Sequence, residues 1–158
     1  MLRVTRLGYH RRVGFPARCR PIEPTTADMA RTILIVDDSS AMRAFVRAVL
    51  EQDSEVDTEV IEAGSGFDAL RMLPRHEFQL VILDINMPHI HGLELISLLR
   101  ANDRYKSLPV LVISTESADR DKQRAMELGA SAYLTKPFEA AELLARVTAL
   151  CDQNNNGA

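Results

Sequence analysis

Residues 80–92 read LVILDINMPHIHG, and the change of character inside this stretch decides the fold class. Leu80 to Leu83 is an unbroken apolar run, as expected of a strand covered on both faces in a parallel sheet rather than a half-exposed hairpin strand. Asp84 ends that run. After Gly92, the segment Leu93 to Arg100 places Leu95, Ile96, Leu98 and Leu99 largely on one helical side. The unit is a buried strand, an acid at its carboxyl end, and an amphipathic helix.

The same unit recurs on either side. Upstream, Thr32 to Val36 predicts a strand and Ser39 to Glu51 a helix, with Asp38 or Ser39 available to cap it. Val60 to Ala63 is a weaker strand signal. It is followed by Gly66 to Leu73, where Phe67, Leu70 and Leu73 recur at helical spacing before Pro74. Downstream, Val110 to Ile113 predicts the fourth strand and Asp119 to Leu128 a charged helix that Gly129 can end by taking positive φ. Ala132 to Leu134 is the fifth strand. Glu139 to Cys151 is the last helix, with Leu143, Leu144, Val147 and Leu150 facing the sheet. Five alternating pairs predict a doubly wound α/β fold with helices on both faces and functional loops after Val36, Leu83, Ile113 and Leu134.

Totals restrict the possibilities further. A chain of 158 residues, 46% hydrophobic and 26% charged, suits one globular domain. Every apolar run is interrupted well before the roughly 20 residues of a membrane helix. Cys19 and Cys151 are far apart and lack metal-ligand spacing, which points to a reducing cytoplasm rather than to a disulfide or zinc framework. The net charge of -3 is uneven. Residues 1–30 carry six Arg against Glu23 and Asp28, and three Pro from Pro16 to Pro24, without helical or strand period. They are expected to be a disordered basic tail, or to precede a true start at Met29. The transit-peptide and nucleic-acid-arm readings lack an apolar helical face. The Asn-rich residues 153–158 are expected to be a second disordered tail.

The chemistry collects at the strand ends. Asp37 and Asp38 follow the first strand and Asp84 ends the third, so three carboxylates converge on one sheet edge. Two unit charges ~4 Å apart repel by about 4 kcal/mol at an effective dielectric near 20, so the cluster requires protonation or a cation. Magnesium suits a site of few carboxylates that also takes phosphate oxygens. Ser114 at the end of the fourth strand and Lys136 after the fifth bring a hydroxyl and an ammonium to the same edge. Singly, each could be a capping or solvated loop residue. Together they describe a phosphoryl site.

Four ordered stretches, VDDS at 36–39, DINMPHIHG at 84–92, LPVLVISTES at 108–117 and GASAYLTKPF at 129–138, resemble the response-regulator receivers. The resemblance spans residues 31–152. It implies a flavodoxin-like, CheY-like five-stranded parallel sheet of order 2-1-3-4-5. It makes Asp84 the phosphoacceptor, phosphorylated by a sensor histidine kinase. Mg2+ would be held by Asp38, Asp84 and the backbone carbonyl of Asn86, with Asp37 assisting through water. Ser114 and Lys136 would contact the phosphoryl oxygens, and Tyr133 would be the switch aromatic. Output would run through the fourth helix, fifth strand and fifth helix, where Asp119, Arg120, Lys122 and Arg124 offer charges.

Within the family, DDSSAMRAFVR, DINMP and STES are similar to the single-domain chemotaxis-type receivers. They imply signalling to a separate protein, such as the flagellar motor switch, by a cytoplasmic monomer or weak dimer that binds no nucleic acid, enters no membrane and is not an enzyme. Ile85 in place of Trp, Ser114 in place of the commoner Thr, and His91 where an acid is frequent blur the subfamily but not the chemistry. One rival is a receiver fold used as a phosphorylation-independent binding module. Another is an aspartyl-phosphate phosphatase of the haloacid dehalogenase type, which would require an Asp two residues after the nucleophile, where Asn86 stands. A flavin-binding module is disfavoured because the acids after Val36 would repel a phosphate. His10, His76, His89 and His91 are dispersed and read as surface residues.

Overall fold

The structure is a computed structural model that describes residues 30–53, 56–115 and 119–155. Residues 1–29 of the basic leader, Cys19 among them, and residues 156–158 of the second expected tail therefore lie outside the described residues. Five strands, β1 (Arg31–Val36), β2 (Thr58–Ala63), β3 (Leu80–Asp84), β4 (Val110–Ser114) and β5 (Ala132–Thr135), alternate with five helices. These are α1 (Ser40–Glu51), α2 (Gly66–Met72), α3 (Gly92–Ala101), α4 (Asp119–Glu127) and α5 (Ala140–Asn155). All strand pairings are parallel and the order is β2-β1-β3-β4-β5, as expected.

The continuous apolar strands fill two cores by simple alternation. Leu34, Val36, Val81, Leu83, Val110, Val112 and Tyr133 pack on one face with Ala69 of α2, Leu95, Ile96 and Leu99 of α3, and Ala125 of α4. Ile33, Ile35, Leu80, Ile82, Leu111, Ile113 and Leu134 pack on the other with Val46, Val49 and Leu50 of α1 and Leu143, Val147 and Leu150 of α5. Cys151 is a buried free thiol on the second face. Among the described residues no helix is long and apolar enough to cross a membrane.

Helix ends follow local chemistry. Ser39 caps α1, its hydroxyl accepting from the Met42 amide at 3.3 Å, and Ser65 caps α2. Gly129 stops α4 at φ +106°, while the Ala130 amide donates to the Ala125 carbonyl. The Arg100 guanidinium then covers the exposed end of α4 with two hydrogen bonds to the Gly129 carbonyl, at 3.0 and 2.7 Å.

Some boundaries differ from the predicted ones. Strand β2 begins at Thr58, two residues before the apolar signal, because it is an edge strand whose Thr58 and Glu59 face partly outward while their backbones pair with Arg31 and Thr32. Pro74 does not end α2 abruptly but sits in a 3-10 turn, Leu73–Arg75. The last helix runs to Asn155 rather than Cys151: once the apolar face has docked, a polar end can extend with no apolar residue to mark it.

Candidate functional site

The strand order places β1 and β3 side by side at the centre of the sheet, and the chain leaves them in opposite directions, toward β2 and toward β4. At this switch point the carboxyl ends of the strands leave a crevice where ligands bind in open α/β sheets. Asp37 and Asp38 enter it from β1 and Asp84 from β3. Their carboxylates each offer an oxygen to a group whose members lie within 4.8 Å of one another. Asp37 and Asp84 are buried, 4% and 7% exposed, whereas Asp38 faces solvent.

Each buried carboxylate is held by several groups. The Ser39 amide donates to Asp37 Oδ1 at 2.8 Å, and the Asn86 amide donates to Asp84 Oδ1 at 3.3 Å. Lys136 is nearly buried and reaches both acids, with Nζ 3.1 Å from Asp37 Oδ2 and 3.6 Å from Asp84 Oδ2. Its placement follows from the sheet, because the Lys136 amide donates to the Ser114 carbonyl at 2.8 Å and locks the end of β5 against the end of β4. Ser114 itself is fully buried at that edge. Asn86 follows in an exposed loop, and Tyr133 is a buried member of the α3–α4 core.

The structure thus gathers Asp37, Asp38, Asp84, Ser114 and Lys136 at one edge and leaves Tyr133 one layer beneath. Two features went unread in the sequence. Lys136 already bonds the acids, most closely Asp37, and so supplies part of the neutralisation expected of a cation. Three carboxylates against one ammonium still leave a formal excess of two negative charges, with hard oxygen donors. That donor set fits a divalent ion such as Mg2+. The second feature is Arg43 of α1, whose Nη1 donates to the Asp37 carbonyl at 2.7 Å. Its position four residues after the capping Ser39, on the first helical turn beside the acid pair, was the available signal.

Burial holds the Asp84 carboxyl above the ordinary carboxylate range; the Lys136 ammonium offsets part of this and the nearby Asp37 adds to it. The folded protein therefore binds a proton on Asp84 more tightly than the unfolded chain does. Stability from this group falls as pH rises from the unfolded carboxyl value, about 3.9, through the raised folded one. In metal-free buffer Asp84→Asn is expected to be more stable than wild type at neutral pH. Its Tm should be higher by about 2–4 °C for each kcal/mol recovered, with the gap closing below about pH 4. Urea or thermal melts across pH 4–7 check this. An Asn variant less stable throughout would mean that the ties to Lys136 and Asn86 outweigh desolvation.

Comparison with known proteins gives a consistent result. Residues 33–148 match the family described as the response regulator receiver domain. The chain is 40% identical over 111 residues to the chemotaxis protein CheY-3 of Vibrio cholerae, covering 70% of this chain and 84% of that one. Among solved structures, Vibrio cholerae chemotaxis protein CheY4 superposes with a TM-score of 0.71 at 32% identity, covering 77% of this chain and 99% of that one. The Mn2+-bound form of response regulator Rcp1 superposes with a TM-score of 0.65 at 29% identity, covering 76% and 91%.

Proposed function

This chain belongs to the response-regulator receiver family, and on that premise we propose that it is a CheY-like signalling protein that accepts a phosphoryl group on Asp84. The observation that carries the reading is the convergence of Asp84 with two further carboxylates and a nearly buried lysine at the sheet's switch point. A site built only for stability would not bring three acids together in and around a buried edge.

In the proposed reaction a carboxylate oxygen of Asp84 forms a bond to phosphorus. The bond from phosphorus to the donor breaks, and its electron pair leaves with the donor, a histidine imidazole of a sensor kinase. The product is an acyl phosphate. Asp84 must be ionised to attack, and Lys136 favours that form. The ammonium of Lys136 and the hydroxyl of Ser114 would then contact the phosphoryl oxygens, adding charge-assisted hydrogen bonds where negative charge has accumulated. Mg2+ would be held by Asp38, Asp84 and the Asn86 carbonyl, with Asp37 assisting through water; the clustered carboxylates, and a relative whose structure holds Mn2+, support a divalent ion here. When bound, it supplies charge neutralisation of the acids and the incoming phosphoryl oxygens.

Drawing Ser114 toward the phosphoryl group would alter the packing over Tyr133, which lies on the neighbouring strand opposite Val112. Helix α4 is well suited to respond, since Ala125 is its single buried residue and Asp119, Arg120, Lys122 and Arg124 are exposed. The α4–β5–α5 face would thereby carry the signal to a partner. Likeness to two chemotaxis proteins supports a chemotaxis-type role; a cytoplasmic location, a receiver spanning residues 31–152 and a motor-switch component as one such partner are part of the same proposal.

The test is intact mass after incubation with acetyl phosphate, with Mg2+ or with EDTA. One phosphoryl increment is expected with Mg2+ and none with EDTA. No increment under any condition would leave a receiver fold used as a phosphorylation-independent binding module.

A further inference from the structure

Asp37 is held at four points, and three of them belong to the sheet and the site already described. Its amide donates to the Ala63 carbonyl at 3.2 Å, Oδ1 accepts from Ser39, and Oδ2 accepts from Lys136. The fourth is different. The Asp37 carbonyl accepts from Nη1 of Arg43 at 2.7 Å, and this carbonyl belongs to the peptide unit joining Asp37 to Asp38. Fixing that peptide plane fixes the starting direction of both acidic side chains.

Arg43 can hold the peptide because its own guanidinium is held. Its Nε donates to Glu62 Oε2 of β2 at 3.0 Å, and its side chain is only 18% exposed. Glu62 is in turn gripped by a second guanidinium, Arg47, with Nε 2.6 Å from Oε1. The two arginines keep the Glu62 carboxyl below the usual carboxylate range, Arg47 contributing most. Arg47 also spans Glu51 and the Val60 carbonyl but does not touch Asp37. The network therefore contains one arginine that reaches the acid pair and one that does not.

Resting on the proposed metal-binding reading, we infer that Arg43 is a positioning residue for the divalent-cation site, setting the Asp37–Asp38 peptide from the edge strand through Glu62. A planar fork suits the task, since one edge donates to a carboxylate while another donates to a carbonyl; a lysine ammonium lacks that geometry.

The experiment is calorimetric titration of Mg2+ into the full chain and into Arg43→Met and Arg47→Met, each measured well below its own melting temperature. Both variants lose a Glu62 ion pair and should melt earlier. Only Arg43→Met should lose Mg2+ affinity, by about tenfold, while Arg47→Met stays within about twofold of wild type. Unchanged affinity in Arg43→Met, or equal losses in both variants, overturns the inference while leaving the metal site standing. Absence of Mg2+ binding to wild type overturns the metal reading and this inference with it. Should Arg43→Met fail to fold, Glu62→Gln decides the matter: it leaves Arg43 in place but frees its far edge. A loss of about threefold supports the inference and wild-type affinity overturns it.

Discussion

Replacing Gly92 by Ala is expected to lower folding stability by about 2–4 kcal/mol and to spoil the phosphorylation site beyond what the lost stability accounts for. Gly92 begins α3, and its amide donates to the Ile85 carbonyl at 2.9 Å, drawing the helix start onto the end of β3. A Cβ there would lie 2.4 Å from the Asp84 carbonyl oxygen and 2.6 Å from the Ile85 Cα. Both atoms are backbone, so no side chain can swing aside. Relief requires the peptide after Asp84 to move, and with it the acid itself. Urea denaturation measures the first effect; the acetyl phosphate reaction of the protein that remains folded measures the second. A variant within about 0.5 kcal/mol of wild type would show that the loop has room the structure does not give it.

Lys136→Met should have opposite effects on two quantities that usually move together. Phosphorylation from acetyl phosphate should fall by about 10²–10³-fold, because a preorganised cation at the developing phosphoryl charge is lost. Mg2+ affinity should hold or rise, because the ammonium that hydrogen-bonds Asp37 and ion-pairs with Asp84 is a cation competing for the same carboxylates. Time-resolved intact mass and Mg2+ titration separate the two. Phosphorylation within tenfold of wild type would remove Lys136 from the chemistry and leave it as a partner of Asp37 alone.

Much of the fold was legible because burial on both faces leaves an unmistakable mark. Leu80 to Leu83 and Val110 to Ile113 read as strands without ambiguity, and both are interior strands of the sheet. The edge strand β2 was half hidden, since Thr58 and Glu59 pair through the backbone while their side chains meet water. The end of α5 was hidden for a related reason: residues 152–155 continue the helix with no apolar residue in the sequence to announce it.

At the site, the gathering of Asp37, Asp38, Asp84, Ser114 and Lys136 followed once the strand ends were placed, because parallel strands bring their carboxyl ends to one edge. What could not be read was how these groups engage one another. The reach of Lys136 to Asp37 spans 99 residues of sequence, and the hold of Arg43 on the Asp37 carbonyl depends on a peptide orientation that no side-chain pattern encodes. Gly92 likewise reads as a helix start; only the closeness of Ile85 reveals that it also fixes the position of Asp84.

The central claim is that the phosphoryl group goes to Asp84, and the most direct measurement is where it goes. The Mg2+-treated, acetyl phosphate-labelled protein would be reduced with borohydride, which converts an aspartyl phosphate to homoserine, then digested and sequenced by mass spectrometry. Homoserine at position 84 alone, and none in Asp84→Asn, is the predicted result. Reduction at Asp37 or Asp38 with Asp84 unmodified, or a phosphoryl group found on a histidine, would contradict it.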